Sequence, residues 1–176
     1  MSPGFTSPTR TQPSREGDSK ADYPLLLQGK VKGKNRLNLE VLYYNARGLA
    51  NEERLLEFEE SLKKVRWDIL GIAEVRRAGN ELIHRKNGDY LYFYGETKGY
   101  RSVGFLVKEK LWNKIKEIKQ VNERIICVLK LEIEEKSLLS IIQIYAPILA
   151  AEKDEIREFY KKLQETIKQE RERPTQ

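Results

Sequence analysis

The chain has 176 residues, 39% of them hydrophobic, enough for one domain with a sizeable core and too few for two comfortable ones. Its net charge of +6 permits an anionic partner without demanding one. The single cysteine, Cys127, excludes an intrachain disulfide and points to a reducing compartment. No apolar stretch is long enough to span a bilayer, and Leu25-Leu26-Leu27 is too short for a signal-peptide core. A soluble nuclear or cytoplasmic protein is therefore expected, with no membrane partner.

Residues 1–36 differ from the rest. Pro3, Pro8, Pro13 and Pro24 fall among Ser, Thr, Gly and charged residues, with seven Lys or Arg against three acids. Such a segment buries too little apolar surface to offset its ordering entropy, so a disordered basic tail is expected. It closes on Lys30-Val31-Lys32-Gly33-Lys34-Asn35-Arg36, which reads as a nuclear-targeting or phosphate contact or, slightly ahead, as a solvated linker.

From residue 37 the pattern becomes globular, and 37–172 is expected to be the domain, with 173–176 a short tail. Leu37 to Tyr44 is β-rich and ends at Asn45-Ala46-Arg47-Gly48. Asn51 to Val65 reads as a helix, with Leu55, Phe58, Leu62 and Val65 at helical spacing and Asn51 as its N-cap. Trp67 to Glu74 is almost continuously apolar, as in a strand covered on both faces, so the three make a βαβ unit. Asn87-Gly88 is a turn signal beside Tyr90–Tyr94, and Gly99 precedes Val103–Val107. Ile115–Val121, Arg124–Ile133 and Leu138–Tyr145 then suggest antiparallel hairpins. Glu152–Gln169 reads as an amphipathic helix with Ile156, Phe159, Tyr160, Leu163 and Ile167 as its buried stripe. The fold class is α/β, a sandwich.

Three strand ends carry polar residues suited to chemistry. In an open α/β sheet, ligands collect at the carboxyl ends of strands, so Asn45, Glu74 and Tyr145 could share one site. Phosphodiester hydrolysis needs a metal against phosphate charge, a base for water and donors for the developing charge. Each residue also has a plainer reading. Glu74 alone is an exposed loop acid paired with Arg76 or Arg77, Asn45 an Asx-turn former, and Tyr145 an aromatic at a strand end. Trp67, Trp112 and Cys127 read as packing residues, and His84 as a solvated or core histidine.

Five segments, in order, resemble the endonuclease/exonuclease/phosphatase superfamily with its DNase I-like fold. They are Tyr44-Asn45-Ala46-Arg47-Gly48-Leu49, Asp68-Ile69-Leu70-Gly71-Ile72-Ala73-Glu74-Val75-Arg76-Arg77, Val103-Gly104-Phe105-Leu106-Val107, Glu123-Arg124-Ile125-Ile126 and Gln143-Ile144-Tyr145-Ala146-Pro147. The likeness is nearest to endonuclease domains of non-LTR retrotransposons and craniofacial development protein 2-like sequences, from about Leu37 to Glu170. It implies Glu74 as principal metal ligand, Asn45 helping to hold metal and phosphate, and Tyr145 assisting at the phosphate. Arg47, Arg76 and Arg124 would contact phosphate or DNA, Arg124 in a phosphate or structural role. The implied cofactor is Mg²⁺ or Mn²⁺, with no small-molecule cofactor. DNA is the implied partner, nicked to leave a primer for reverse transcription.

The family's Gly-Asp-Phe-Asn strand and late Ser-Asp-His do not occur in this sequence. Those motifs carry the water-orienting Asp and a phosphate-polarising His, and His84 lies in a segment where the family has no catalytic histidine. The resemblance therefore implies the amino-terminal half of a DNase I-like α/β sandwich, weakly active or inactive alone. Such a half is expected to expose an apolar sheet face and to self-associate or require the missing carboxyl-terminal half. A non-catalytic nucleic-acid-binding or interaction remnant is the competing expectation. A phosphatase for inositol phosphates or lipids is disfavoured by the Ala46-Arg47-Gly48-Leu49 and Glu74-Val75-Arg76 contexts. Ser102, where the family often has Gly, reads as a minor change.

Overall fold

The computed structural model describes residues 27–32, 38–122, 124–134, 137–148 and 150–172. The remainder of the basic tail and residues 173–176 lie outside the described residues, as does the side chain of Cys127. Two sheets and two long helices make an α/β sandwich, as the sequence predicts. The larger sheet holds six strands, β1 (Leu27–Lys32), β2 (Asn38–Asn45), β3 (Ile69–Ala73), β4 (Gly79–His84), β5 (Tyr90–Gly95) and β6 (Val103–Val107). Their spatial order is β1-β2-β3-β6-β5-β4, with only β2 and β3 parallel. The smaller sheet is the antiparallel meander β7 (Ile115–Lys119), β8 (Ile125–Glu134) and β9 (Ser137–Ile144).

The parallel pair is parallel because a helix joins it. α1 (Glu52–Leu62) starts at Asn51, whose side chain accepts the Arg54 N–H at 2.9 Å, satisfying a donor the first turn leaves over. Leu55, Phe58 and Leu62 are buried against Leu42, Leu70, Ile72, Leu91, Phe93 and Leu106. Val65, expected on the same stripe, is exposed because the helix ends at Leu62 and the chain turns.

Alternation along the strands supplies the second core. Leu39, Ile69, Ala73, Val103, Phe105 and Val107 point away from α1 and pack on Leu129 and Leu131 of the small sheet. The all-buried β3 and β6 follow from this double cover. The expected apolar face is thus covered at the centre of the six-stranded sheet, while Val41 and Tyr43 of β2 stay only partly buried. Among the described residues β1, β4, β7 and β9 are the edge strands, each paired on one side only.

α2 (Lys153–Glu172) lies on the outer face of the small sheet, where Glu170 meets Lys130 and Ser140. Phe159 and Thr166 are its buried residues, whereas Tyr160, expected in the buried stripe, is 55% exposed. The contact stripe runs through Phe159, Thr166 and the paired Glu170, one position round from the apolar one, because a buried Lys130 on the sheet draws an acid to it.

β1 and β4 are not foreseen in the sequence. β1 lies in the stretch read as tail, and it is held by pairing Leu27–Lys32 along Asn38–Tyr43 of β2. β4 is an exposed, polar edge strand across the Asn87-Gly88 turn from β5. No helix among the described residues is long and apolar enough to cross a membrane.

Candidate active site at the strand ends

β2 and β3 run side by side, with Asn45 opposite Ala73, so the residue after β3 emerges beside the end of β2. Leu39 belongs to the inter-sheet core and Val41 and Tyr43 pack against it, so Asn45 continues that face at its rim. Glu74 reaches the same rim through a backbone anomaly. Ala73 faces the inter-sheet core and Val75 the α1 core, a swap of faces made at Glu74 with φ 55°. A non-glycine residue in the left-handed region is uncommon and strained, and it clusters at functional sites. From the other sheet Tyr145, just past β9, packs on the same core.

The three side chains meet. Asn45 Nδ2 donates to Glu74 Oε1 at 2.8 Å, and the Tyr145 hydroxyl donates to the same oxygen at 3.1 Å. The Arg76 guanidinium donates to Glu74 Oε2 at 2.9 Å. The Asn45 Oδ1 accepts the Arg47 N–H at 3.1 Å, the expected Asx turn, so one side chain both closes the turn and reaches Glu74. Glu74 is 16% exposed rather than an open loop acid. Burial pushes its carboxyl up, but hydrogen bonds from Asn45, Arg76 and Tyr145 and the Arg76 charge outweigh this and hold it below the ordinary carboxylate range. Burial, then the Glu74 charge and hydrogen bond, raise the Tyr145 phenol above its usual value, so it stays a donor at neutral pH.

Two of the three arginines singled out by sequence stand apart from this carboxylate. Arg47 is exposed with φ 47°. Arg124, 12% exposed, lies over the Tyr145 ring at 5.4 Å, donates to the Tyr145 carbonyl and binds Glu155 of α2. That geometry makes it a buttress under Tyr145. His84 sits at the opposite end of the sheet, exposed and stacked on Tyr90, whose other side stacks on Trp112. Trp67 is buried under the Lys108 ammonium, a packing residue as expected.

No protein-family model matches the chain. It is similar to craniofacial development protein 2. Over 126 residues it is 29% identical to that protein of Bos taurus, covering 70% of this chain and 20% of the relative. The Tragulus javanicus protein matches at 29% identity over 126 residues, 70% of this chain and 21% of the relative. The chain thus spans about a fifth of the length of the curated relatives it matches. These matches support the craniofacial development protein 2 side of the sequence resemblance.

Two residues of the cluster are missing from the sequence reading. Tyr43 lies two residues before Asn45 on the same face, and burial, followed by the charges of Glu74 and Tyr145, raises its phenol. Strand alternation back from Asn45 was the signal that could have found it. Arg101 pairs with Glu155 at 3.1 Å, and its charge acts on Tyr145. It comes from the loop before β6, and nothing local in the sequence marks it.

Proposed function

We propose that the cluster is the metal- and phosphate-binding part of a Mg²⁺-dependent DNA-nicking site. The chain would then be the amino-terminal portion of an endonuclease of the retrotransposon endonuclease–reverse transcriptase type. The observation that carries this reading is the convergence of Asn45, Glu74 and Tyr145 from three strand ends and two sheets onto one half-buried carboxylate. An acid kept only for solubility does not collect three donors.

Among the described residues no three His, Cys, Asp or Glu side chains gather in a cage. Magnesium is commonly held by one or two carboxylates, keeping water and taking further oxygens from a substrate phosphate. Glu74 with the neighbouring Asn45 amide fits that manner of binding. When bound, the ion neutralises phosphate charge. The chain's own residues do the rest of what is proposed here. Arg76, partly exposed, offers its guanidinium to a phosphate oxygen, and Tyr145, kept protonated, donates its hydroxyl. Asn45 fixes the Glu74 carboxylate through its amide hydrogen.

Supercoiled-plasmid nicking with Mg²⁺, run beside Glu74→Ala, tests the reading. Nicking by the parent chain that Glu74→Ala abolishes supports it. Equal nicking by both, or none by either, overturns the enzyme reading and leaves a nucleic-acid-binding or interaction module.

A further inference from the structure

The two amides that follow Glu74 in its turn are both held by one residue. Ser102, fully buried just before β6, accepts the Val75 N–H through its carbonyl at 3.3 Å and the Arg76 N–H through its Oγ at 2.5 Å. Those are the two peptide groups that follow Glu74. The remaining backbone bonds of the turn come from Leu49, which donates to the Val75 carbonyl, and Gly99, which donates to the Arg76 carbonyl. Arg76 itself has φ 60°, so two left-handed residues flank Val75.

Ser102 occupies its place at a cost. Its φ is 128°, a region open essentially to glycine. Its Cβ is accommodated because position 95 is bare. A Cβ on Gly95 would lie 2.6 Å from the Ser102 Cβ and 2.2 Å from the Arg77 carbonyl oxygen. Glycine at 102 would relieve the backbone and could keep the carbonyl bond to Val75. It could not keep the hydroxyl bond to Arg76. A strained serine in a glycine position, buried and hydrogen-bonded through its hydroxyl, is best explained by that hydroxyl.

We propose that Ser102 is a positioning residue for Glu74: its hydroxyl clamps the Arg76 peptide, which keeps Glu74 turned onto Asn45 and Tyr145 and Arg76 turned onto Glu74. Its functional weight rests on the reading of Glu74 given above; the clamp itself does not. The serine is thus no minor change from glycine.

Ser102→Gly and Ser102→Ala separate the two things the residue does. Both remove the hydroxyl, but only glycine relieves φ 128°. Thermal melts of the full chain should place Ser102→Gly at or above the parent and Ser102→Ala below it. The site should follow the hydroxyl instead. In both variants the Arg76 amide should exchange about tenfold faster. In ¹⁵N spectra recorded without metal or DNA, the Asn45 side-chain amide should lose its Glu74-bonded position and move toward the free-amide shift. In nicking assays both variants should lose kcat to the same degree. The clamp is refuted if either variant keeps the Asn45 signature and Arg76 protection, or if those readouts follow the melting temperatures. An absent nicking activity alone refutes the nuclease reading and not the clamp, because the spectra need neither metal nor substrate.

Discussion

Gln143 of β9 stands where a side chain of Gly71 on β3 would be. A Cβ built on Gly71 would lie 2.0 Å from Gln143 Oε1. Gln143 is itself buried and donates from Nε2 to the Ile144 carbonyl. The bare position on one sheet lets a polar residue of the other lie flat against it. This contact is three residues from Glu74 and two from Tyr145, so it sets the sheet spacing directly beneath the candidate site.

Gly71→Ala should therefore be destabilising by about 1–3 kcal/mol, the usual cost of overpacking a filled core. Shortening the opposing side chain should recover much of it. In urea denaturation, Gly71→Ala with Gln143→Ser should lose less than the sum of the two single losses. Additive losses would show that the close approach is not the constraint.

Arg85 presents a different kind of dependence. Its guanidinium is 7% exposed, bonds Glu59 at 2.6 Å and also reaches Glu52, tying the β4–β5 turn to α1. Glu59 is nearly as buried, while Glu52 is largely exposed. Removing Arg85 strands a buried carboxylate, so Arg85→Met should cost about 3–5 kcal/mol. Glu52→Ala loses a solvated partner and should cost less than about 1 kcal/mol. Equal effects of the two in denaturant titrations would contradict this ranking.

The sequence yields what is local and periodic. The βαβ unit, the Asn51 cap, the Asn87-Gly88 turn and the three closing strands are legible because apolar spacing and turn residues are written in consecutive positions. β1 and β4 are not, because each is a polar edge strand stabilised by pairing with a neighbour, and composition carries no trace of that. Of the candidate site, the strand ends are legible by motif order, but Tyr43 and Arg101 enter through the packing of one sheet on the other. The significance of Ser102 depends on a backbone angle. Nothing in its neighbours Arg101 and Val103 announces that angle.

The pH dependence of stability has a limb on each side. The folded-state carboxyls of Glu74 and Glu52 lie below their ordinary value, Glu52 chiefly through its hydrogen bond to Arg85. Their contribution is present above the unfolded pKa of about 4.3 and is lost as pH falls through the lower folded values. Tyr43 and Tyr145 are raised, so theirs is present below about pH 10 and lost as pH rises through the folded values. Glu74→Gln should flatten the acid limb and Tyr145→Phe the alkaline limb of melting temperature against pH. An unchanged acid limb in Glu74→Gln would mean that its three donors do not favour the charged carboxylate.

Self-association is expected at the small sheet. Among the described residues β9 pairs with β8 on one side only, and a strand edge presents unpaired N–H and C=O groups to any second strand. Its flanks are apolar, with Leu138 41% exposed and Ile148 66% exposed. Three strands also face six, so Val41 and Tyr43 on the large sheet are only partly buried. A second copy adding its β9 to this edge would pair those N–H and C=O groups and lengthen the small sheet. Sedimentation velocity should show a species that grows with concentration, and Leu138→Lys should shift it toward monomer by placing a charge at the pairing edge. A monodisperse monomer for the parent chain across the concentration range, or a Leu138→Lys variant that associates equally, would sink the expectation and leave the β9 edge as a tolerated exposed strand.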